Sequence, residues 1–158
     1  MHKPTLKGIS FGLTSGVITT LGMMVGLNAG TGSKLVVLGG IITIAVADAF
    51  SDALGIHISE EAEGEHSHRE VWAATFATFF SKLIFALTFV IPVMLFELKL
   101  AIIISIIWGL FILSLISYLM ARDKKGNVWK TILEHLSIAV VVIIVTNYVG
   151  ILISKYFN

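Results

Sequence analysis

The chain has 158 residues, 56% of them hydrophobic and 13% charged, with a mean hydropathy of +0.94 and a formal net charge of +1. Soluble domains carry about 25% charged residues; a chain this apolar has more hydrophobic surface than a core of its size can hide from water, so lipid is the expected solvent for most side chains. The absence of cysteine excludes disulfides and thiolate metal sites, and a charge so close to neutral gives no support for a nucleic-acid partner.

Hydropathy divides the chain into five stretches, over residues 9–30, 35–57, 71–95, 100–120 and 128–153. Each is near or above the roughly 20 residues that cross the hydrocarbon as a helix. Residues 1–8 are basic and precede an apolar run, as in a signal peptide, but no cleavage-type site follows before Lys34, so the first stretch reads as a retained helix. Trp72, Trp129, Tyr118 and Tyr156 fall near stretch ends, where interfacial aromatics belong. The connections at 31–34, 58–70, 96–99 and 121–127 are too short to fold as domains. The expected fold is therefore an all-α, multi-pass integral membrane protein, a single five-helix domain over 1–158, in the cell membrane if the source is prokaryotic.

Short-loop Lys and Arg set orientation. One side holds seven, Lys3, Lys7, Arg69, Arg122, Lys124, Lys125 and Lys130; the other holds Lys34, Lys99 and Lys155. That bias puts the N-terminus and the 58–70 loop in the cytoplasm and the C-terminus outside.

In the first helix Gly8, Gly12 and Gly16 recur every four residues, as do Gly22, Gly26 and Gly30; Gly39 and Gly40 follow in the second. Four-residue spacing aligns such glycines on one side, where another backbone can come close. The partner is either a second copy or permeation path, or another helix of the same bundle. Thr14, Ser15, Thr19, Thr20 and Asn28 make this helix polar for a span, and Met23 and Met24 add thioethers, which bind cations weakly but more often fill apolar gaps.

Asp48 and Asp52 in the second helix are the sharpest feature. They are four apart, hence on one face, and Asp48 is about halfway across. A carboxylate there costs roughly 2.5–3.5 kcal/mol on insertion scales, and charges so deep usually mark an ion or proton path. The structural alternative is a salt bridge to Lys82, at similar depth in the third helix. The segment 57–70 follows, with five glutamates and three histidines. Glu60, Glu61, Glu63, Glu65, His66 and His68 offer carboxylate and imidazole donors suited to divalent first-row metals, though a solvated charged turn has the same composition. Glu134 and His135, early in the fifth helix, read as interfacial residues in preference to a proton relay. No nucleophile is paired with a base, so no enzymatic activity is expected.

Two segments resemble the vacuolar iron transporter family: Gly16-Val17-Ile18-Thr19-Thr20-Leu21-Gly22-Met23-Met24-Val25-Gly26 and Ala47-Asp48-Ala49-Phe50-Ser51-Asp52-Ala53-Leu54-Gly55-Ile56-His57-Ile58-Ser59. The basic linker before the fifth helix and its Thr146-Asn147-Tyr148-Val149-Gly150 also fit. The resemblance implies a dimeric exporter of Fe²⁺, Mn²⁺ or a similar divalent ion, exchanging it for protons along a path between protomers lined by helices one and two. It is a short form, with the Glu/His segment in place of a long cytoplasmic metal-binding domain. Three positions depart from the family pattern: Ser15 stands where an acidic residue is usual, Asp52 where Met is usual, and Ile56 where Glu is usual. Metal binding at Asp48 and Asp52, helped by Met23 or Met24, is the expected function. The competing expectation is a non-transporting assembly protein stabilised by an Asp–Lys network.

Overall fold

The computed structural model describes residues 3–123 and 127–157; Lys124 and Lys125 of the basic linker lie outside the described residues. The described chain is all-helical: α1 (Lys3–Thr31), α2 (Lys34–Glu63), α3 (His68–Thr88), α4 (Val90–Leu95), α5 (Leu98–Asp123) and α6 (Val128–Phe157). Five spans are long and apolar enough to cross a membrane, with α3 and α4 together forming the third.

The surface supports that reading. Leu35, Phe50, Phe76, Ile107, Phe111 and Val141 are exposed, while Lys82, Glu60, Thr20 and Thr78 are buried. An apolar exterior this extensive is unstable in water. In lipid it is the expected outside, with the polar groups turned inward.

The helices overrun the hydropathy boundaries. α1 begins six residues before the expected start at residue 9, and α2 runs six residues past 57. The expected 58–70 loop shrinks to the turn between Glu63 and His68. Local chemistry explains the compression. Gly64 ends α2 in the left-handed conformation at φ 66°, which a residue without Cβ adopts cheaply. Ser67 then starts α3 with a capping box, its hydroxyl and backbone N–H both donating to Glu70 Oε2, at 2.7 and 3.0 Å. At the other end Gly32, at φ 58°, and Ser33, whose hydroxyl accepts from the Val36 N–H at 3.4 Å, make an equally tight turn.

The third span breaks at Phe89. Pro92 has no N–H to give the Thr88 carbonyl, and its ring would crowd that carbonyl in an unbroken helix. Trp108 of α5 donates to the Thr88 hydroxyl at 3.1 Å beside the break.

Helix α1 is central, contacting α2, α3, α5 and α6. Its Val17, Leu21 and Met24 meet Val37 and Ile41 of α2, Phe89 and Val93 beside the break, and Ala101 and Leu113 of α5 in one apolar cluster. Both glycine rows are used inside the chain. A Cβ on Gly8 or Gly12 would overlap the α3 backbone at Ala74 and Thr78, and one on Gly22 would lie 2.8 Å from Val142 of α6. Gly26 and Gly30 continue that second row onto Thr146 and Gly150. Of the two partners left open by the sequence, the rows therefore serve packing within the bundle.

Candidate cation site

The close approach of α1 to α3 sets the site. A Cβ on Gly16 would stand 3.2 Å from Lys82 Cγ and 3.2 Å from its carbonyl oxygen. The Lys82 side chain therefore lies along α1 in space a larger residue would take. It is 1% exposed, and its ammonium ends among three acceptors from two helices. It donates to Ser15 Oγ of α1 at 2.8 Å and to Asp52 Oδ2 of α2, and it lies 2.5 Å from Asp48 Oδ2 as an ion pair without hydrogen-bond alignment. Two hydrogen bonds and one ion pair thus surround the ammonium, which has three protons to give.

The aspartates are less enclosed than the lysine. Their side chains keep 26% and 18% exposure, so each carboxylate has a side not covered by the chain. Two carboxylates and one ammonium carry a net charge of −1. Such a cluster in low dielectric is stable only while its charges stay paired; removing one member of a buried pair typically costs about 3–5 kcal/mol.

The methionines go elsewhere. Met24 is fully buried in the apolar cluster, and Met23 packs on that cluster with its sulfur against Gly40. Thr19 donates to the Ser15 carbonyl at 2.9 Å, and Thr20 is fully buried.

About two turns further along α2 the Glu/His segment divides. Glu60 is completely buried, with Lys7 Nζ of α1 2.7 Å from Oε1 and His66 Nδ1 2.8 Å from Oε2. Lys7 also donates to Glu63 Oε1 at 2.7 Å. Donor atoms of Glu60, Glu63 and His66 all fall within 4.8 Å of one another, a spacing that could hold a metal ion. The remaining residues stay apart from this group. Glu61 faces His57 Nε2 at 3.4 Å, one turn back on the same helix. Glu65 is exposed, and the His68 ring lies 6.3 Å from that of Trp72. Thr75 gives its proton to the Val71 carbonyl at 2.8 Å, so His57 Nδ1 is the donor in their 2.9 Å contact. In the fifth span Glu134 is exposed, with Lys130 Nζ at 3.9 Å, while His135 Nδ1 lies 2.7 Å from Ser117 Oγ of α5.

Asp48, Asp52 and Lys82 stand out together in the sequence, whereas Ser15 reads there as one of several polar residues of the first helix and a departure from a family pattern, and Lys7 only as a loop charge. One signal was present. Residues at similar distances from the tight turn at Gly32 and Ser33 meet at similar depth in an antiparallel pair, and both Ser15 with Asp52 and Lys7 with Glu60 are matched to within two residues.

No protein-family model matches this chain, and no curated protein is significantly similar to it.

Proposed function

We propose that the chain is a homodimeric transporter that exports divalent cations, Fe²⁺ or Mn²⁺ by preference, from the cytosol in exchange for protons. The observation that carries the reading is the Asp48–Lys82–Asp52 cluster: two partly open carboxylates at mid-span, held by an ammonium on a side chain long enough to withdraw. Carboxylates at that depth are costly, and ion paths are their commonest use. In this scheme Lys82 is an internal cation that balances the aspartates until cargo replaces it. Cations gather by electrostatic attraction at the mouth formed by Glu60, Glu61, Glu63, Glu65, His66 and His68, then bind Asp48 and Asp52, and protonation of the aspartates from the far side releases them. Met23, only half-buried, is the thioether better able to assist. The seven-to-three bias of Lys and Arg supports a cytoplasmic N-terminus and an outside C-terminus, and the likeness of the first two helices to vacuolar iron transporters supports the cargo.

We assign the dimer seam to α2. The glycine rows of α1 are taken up inside the chain, whereas Gly39, Thr43, Ala47, Ser51, Gly55 and Ser59 of α2 are small, four apart and exposed. A Cβ on Gly39 or Gly55 would meet nothing within 4 Å. Small residues in such a row let two helices approach closely in lipid.

A second reading has its own support: the Lys82 ammonium ties Ser15, Asp48 and Asp52 of two other helices together, a cohesive network of the kind that a membrane assembly protein would need. Metal flux into proteoliposomes tests the choice. Asp48→Asn and Asp52→Asn each abolish metal-dependent flux if the aspartates carry cargo; flux unchanged in both leaves the structural reading.

A further inference from the structure

The cluster at the cytoplasmic-side turn repeats the architecture of the mid-span cluster. In each, a lysine from a neighbouring helix bridges two carboxylates of α2 that are three or four residues apart: Lys82 on Asp48 and Asp52, Lys7 on Glu60 and Glu63. Asp52 and Glu60 are eight residues apart, about 12 Å along the helix axis, and both belong to the four-residue ladder that begins at Asp48.

Glu60 itself points to a cation. Its side chain is completely buried, and each oxygen is held by a single positively charged or ionisable nitrogen, Lys7 Nζ at 2.7 Å and His66 Nδ1 at 2.8 Å. An ionised carboxylate can accept about four hydrogen bonds, and a buried one with two partners keeps acceptor capacity that depends on nearby positive charge. The ammonium leaves the Glu60–Glu63 pair with one uncompensated negative charge; a divalent ion in the ammonium's place would neutralise the pair. The third donor is already beside them, since His66 Nδ1 faces the cluster and presents a lone pair in the tautomer protonated at Nε2. First-row divalent ions bind such donors at about 2.0–2.2 Å, so donor atoms lying within 4.8 Å of one another need close in by only roughly 1 Å or less.

We propose that Glu60, Glu63 and His66 form a second, discrete site for a first-row divalent cation, and that the Lys7 ammonium occupies it until the metal displaces it. Of the six acidic and imidazole residues around the mouth, these three thus coordinate, while Glu61, Glu65 and His68 attract without coordinating. Lys7 also ties the first turns of α1 to the last turn of α2, so metal entry unfastens that link. The purpose assigned to the site rests on the transport reading; its geometry does not.

The test is binding of Mn²⁺ to the purified full chain in detergent, read by titration and by pulsed electron paramagnetic resonance for nitrogen coupling to the bound ion. The mid-span cluster contains no imidazole, so coupling lost in His66→Gln reports this site whether or not Asp48 and Asp52 carry cargo. The expected result is nitrogen-coupled Mn²⁺ that persists in the Asp48→Asn/Asp52→Asn chain. Affinity should fall tenfold or more in His66→Gln and in Glu63→Gln, and rise tenfold or more in Lys7→Met, where the competing ammonium is gone. Glu63 and His66 are not fully buried, so these variants do not depend on the chain tolerating a change at Glu60. Absence of nitrogen coupling in the unaltered chain, or affinity that Lys7→Met leaves unchanged or weakens, overturns the proposal. Loss of flux in the aspartate variants with this binding intact separates the two sites.

Discussion

Lys82 Nζ lies 2.5 Å from Asp48 Oδ2, a contact that joins α3 to α2 in the middle of the bundle with only 1% of the lysine exposed. The same ammonium reaches Asp52 and Ser15, so one side chain ties three helices together. Whether the cluster serves transport or only cohesion turns on what happens when the ammonium is removed.

Lys82→Met leaves two aspartates facing one another without a counter-charge. The expected loss is about 3–5 kcal/mol, typical of breaking a buried pair, measured as reduced thermal stability in detergent. If a divalent ion can take the place of the ammonium, Mn²⁺ restores much of the lost stability to Lys82→Met and adds less to the unaltered chain, because ligands that bind only the folded state stabilise it. Adding Asp48→Asn and Asp52→Asn to Lys82→Met should recover stability without metal and cut the Mn²⁺ response back to that of the unaltered chain. A Lys82→Met chain that Mn²⁺ stabilises no more than the unaltered chain argues for the structural network.

The glycines of the first two helices should separate by position. Gly12→Ala forces a methyl group into Ser81 and the Thr78 carbonyl of α3, and overpacking of this kind costs about 1–3 kcal/mol. Gly39→Ala and Gly55→Ala place their methyl groups in open space and should leave the single chain as stable or up to about 1 kcal/mol more so, since alanine favours a helix interior. Thermal unfolding checks the first contrast. Light scattering checks the second: with the seam on α2, bulkier Gly39→Leu and Gly55→Leu variants shift the dimer toward monomer, and an unchanged dimer removes α2 from the interface.

Much of the bundle was legible in the sequence because lipid imposes a simple rule: each crossing needs a long apolar helix. The ends were less legible. Hydropathy stops at the first charges, so it assigned Lys7 and Glu60 to loops, whereas both are helical and face one another across a tight hairpin. The turn chemistry that extends these helices, Gly64 and the Ser67–Glu70 capping box, carries no hydropathy signal. The site was legible in part. Spacing put Asp48 and Asp52 on one face and depth suggested Lys82, but the role of Ser15 depends on how far around α1 the glycine row turns it. The thioethers illustrate the reverse case: composition made Met24 a possible ligand, and packing put it in the core.

Ser67→Ala removes the hydroxyl of the capping box and should cost about 1 kcal/mol, in the usual range for an N-cap. Because Ser67 adjoins His66, the same change should loosen the Glu60–His66 contact and weaken Mn²⁺ binding at the turn without affecting flux through the aspartates by more than a few-fold. Unfolding and Mn²⁺ titration on one preparation check both effects.

The central claim is that Asp48 and Asp52 carry a divalent cation across the membrane. Its most direct test is Mn²⁺ and Fe²⁺ flux into proteoliposomes under an imposed pH gradient, comparing the unaltered chain with Asp48→Asn and Asp52→Asn. The expected result is pH-gradient-dependent flux that falls at least a hundredfold in either variant while both still fold and reconstitute; flux equal to that of the unaltered chain in both variants would rule out cargo binding at the aspartates.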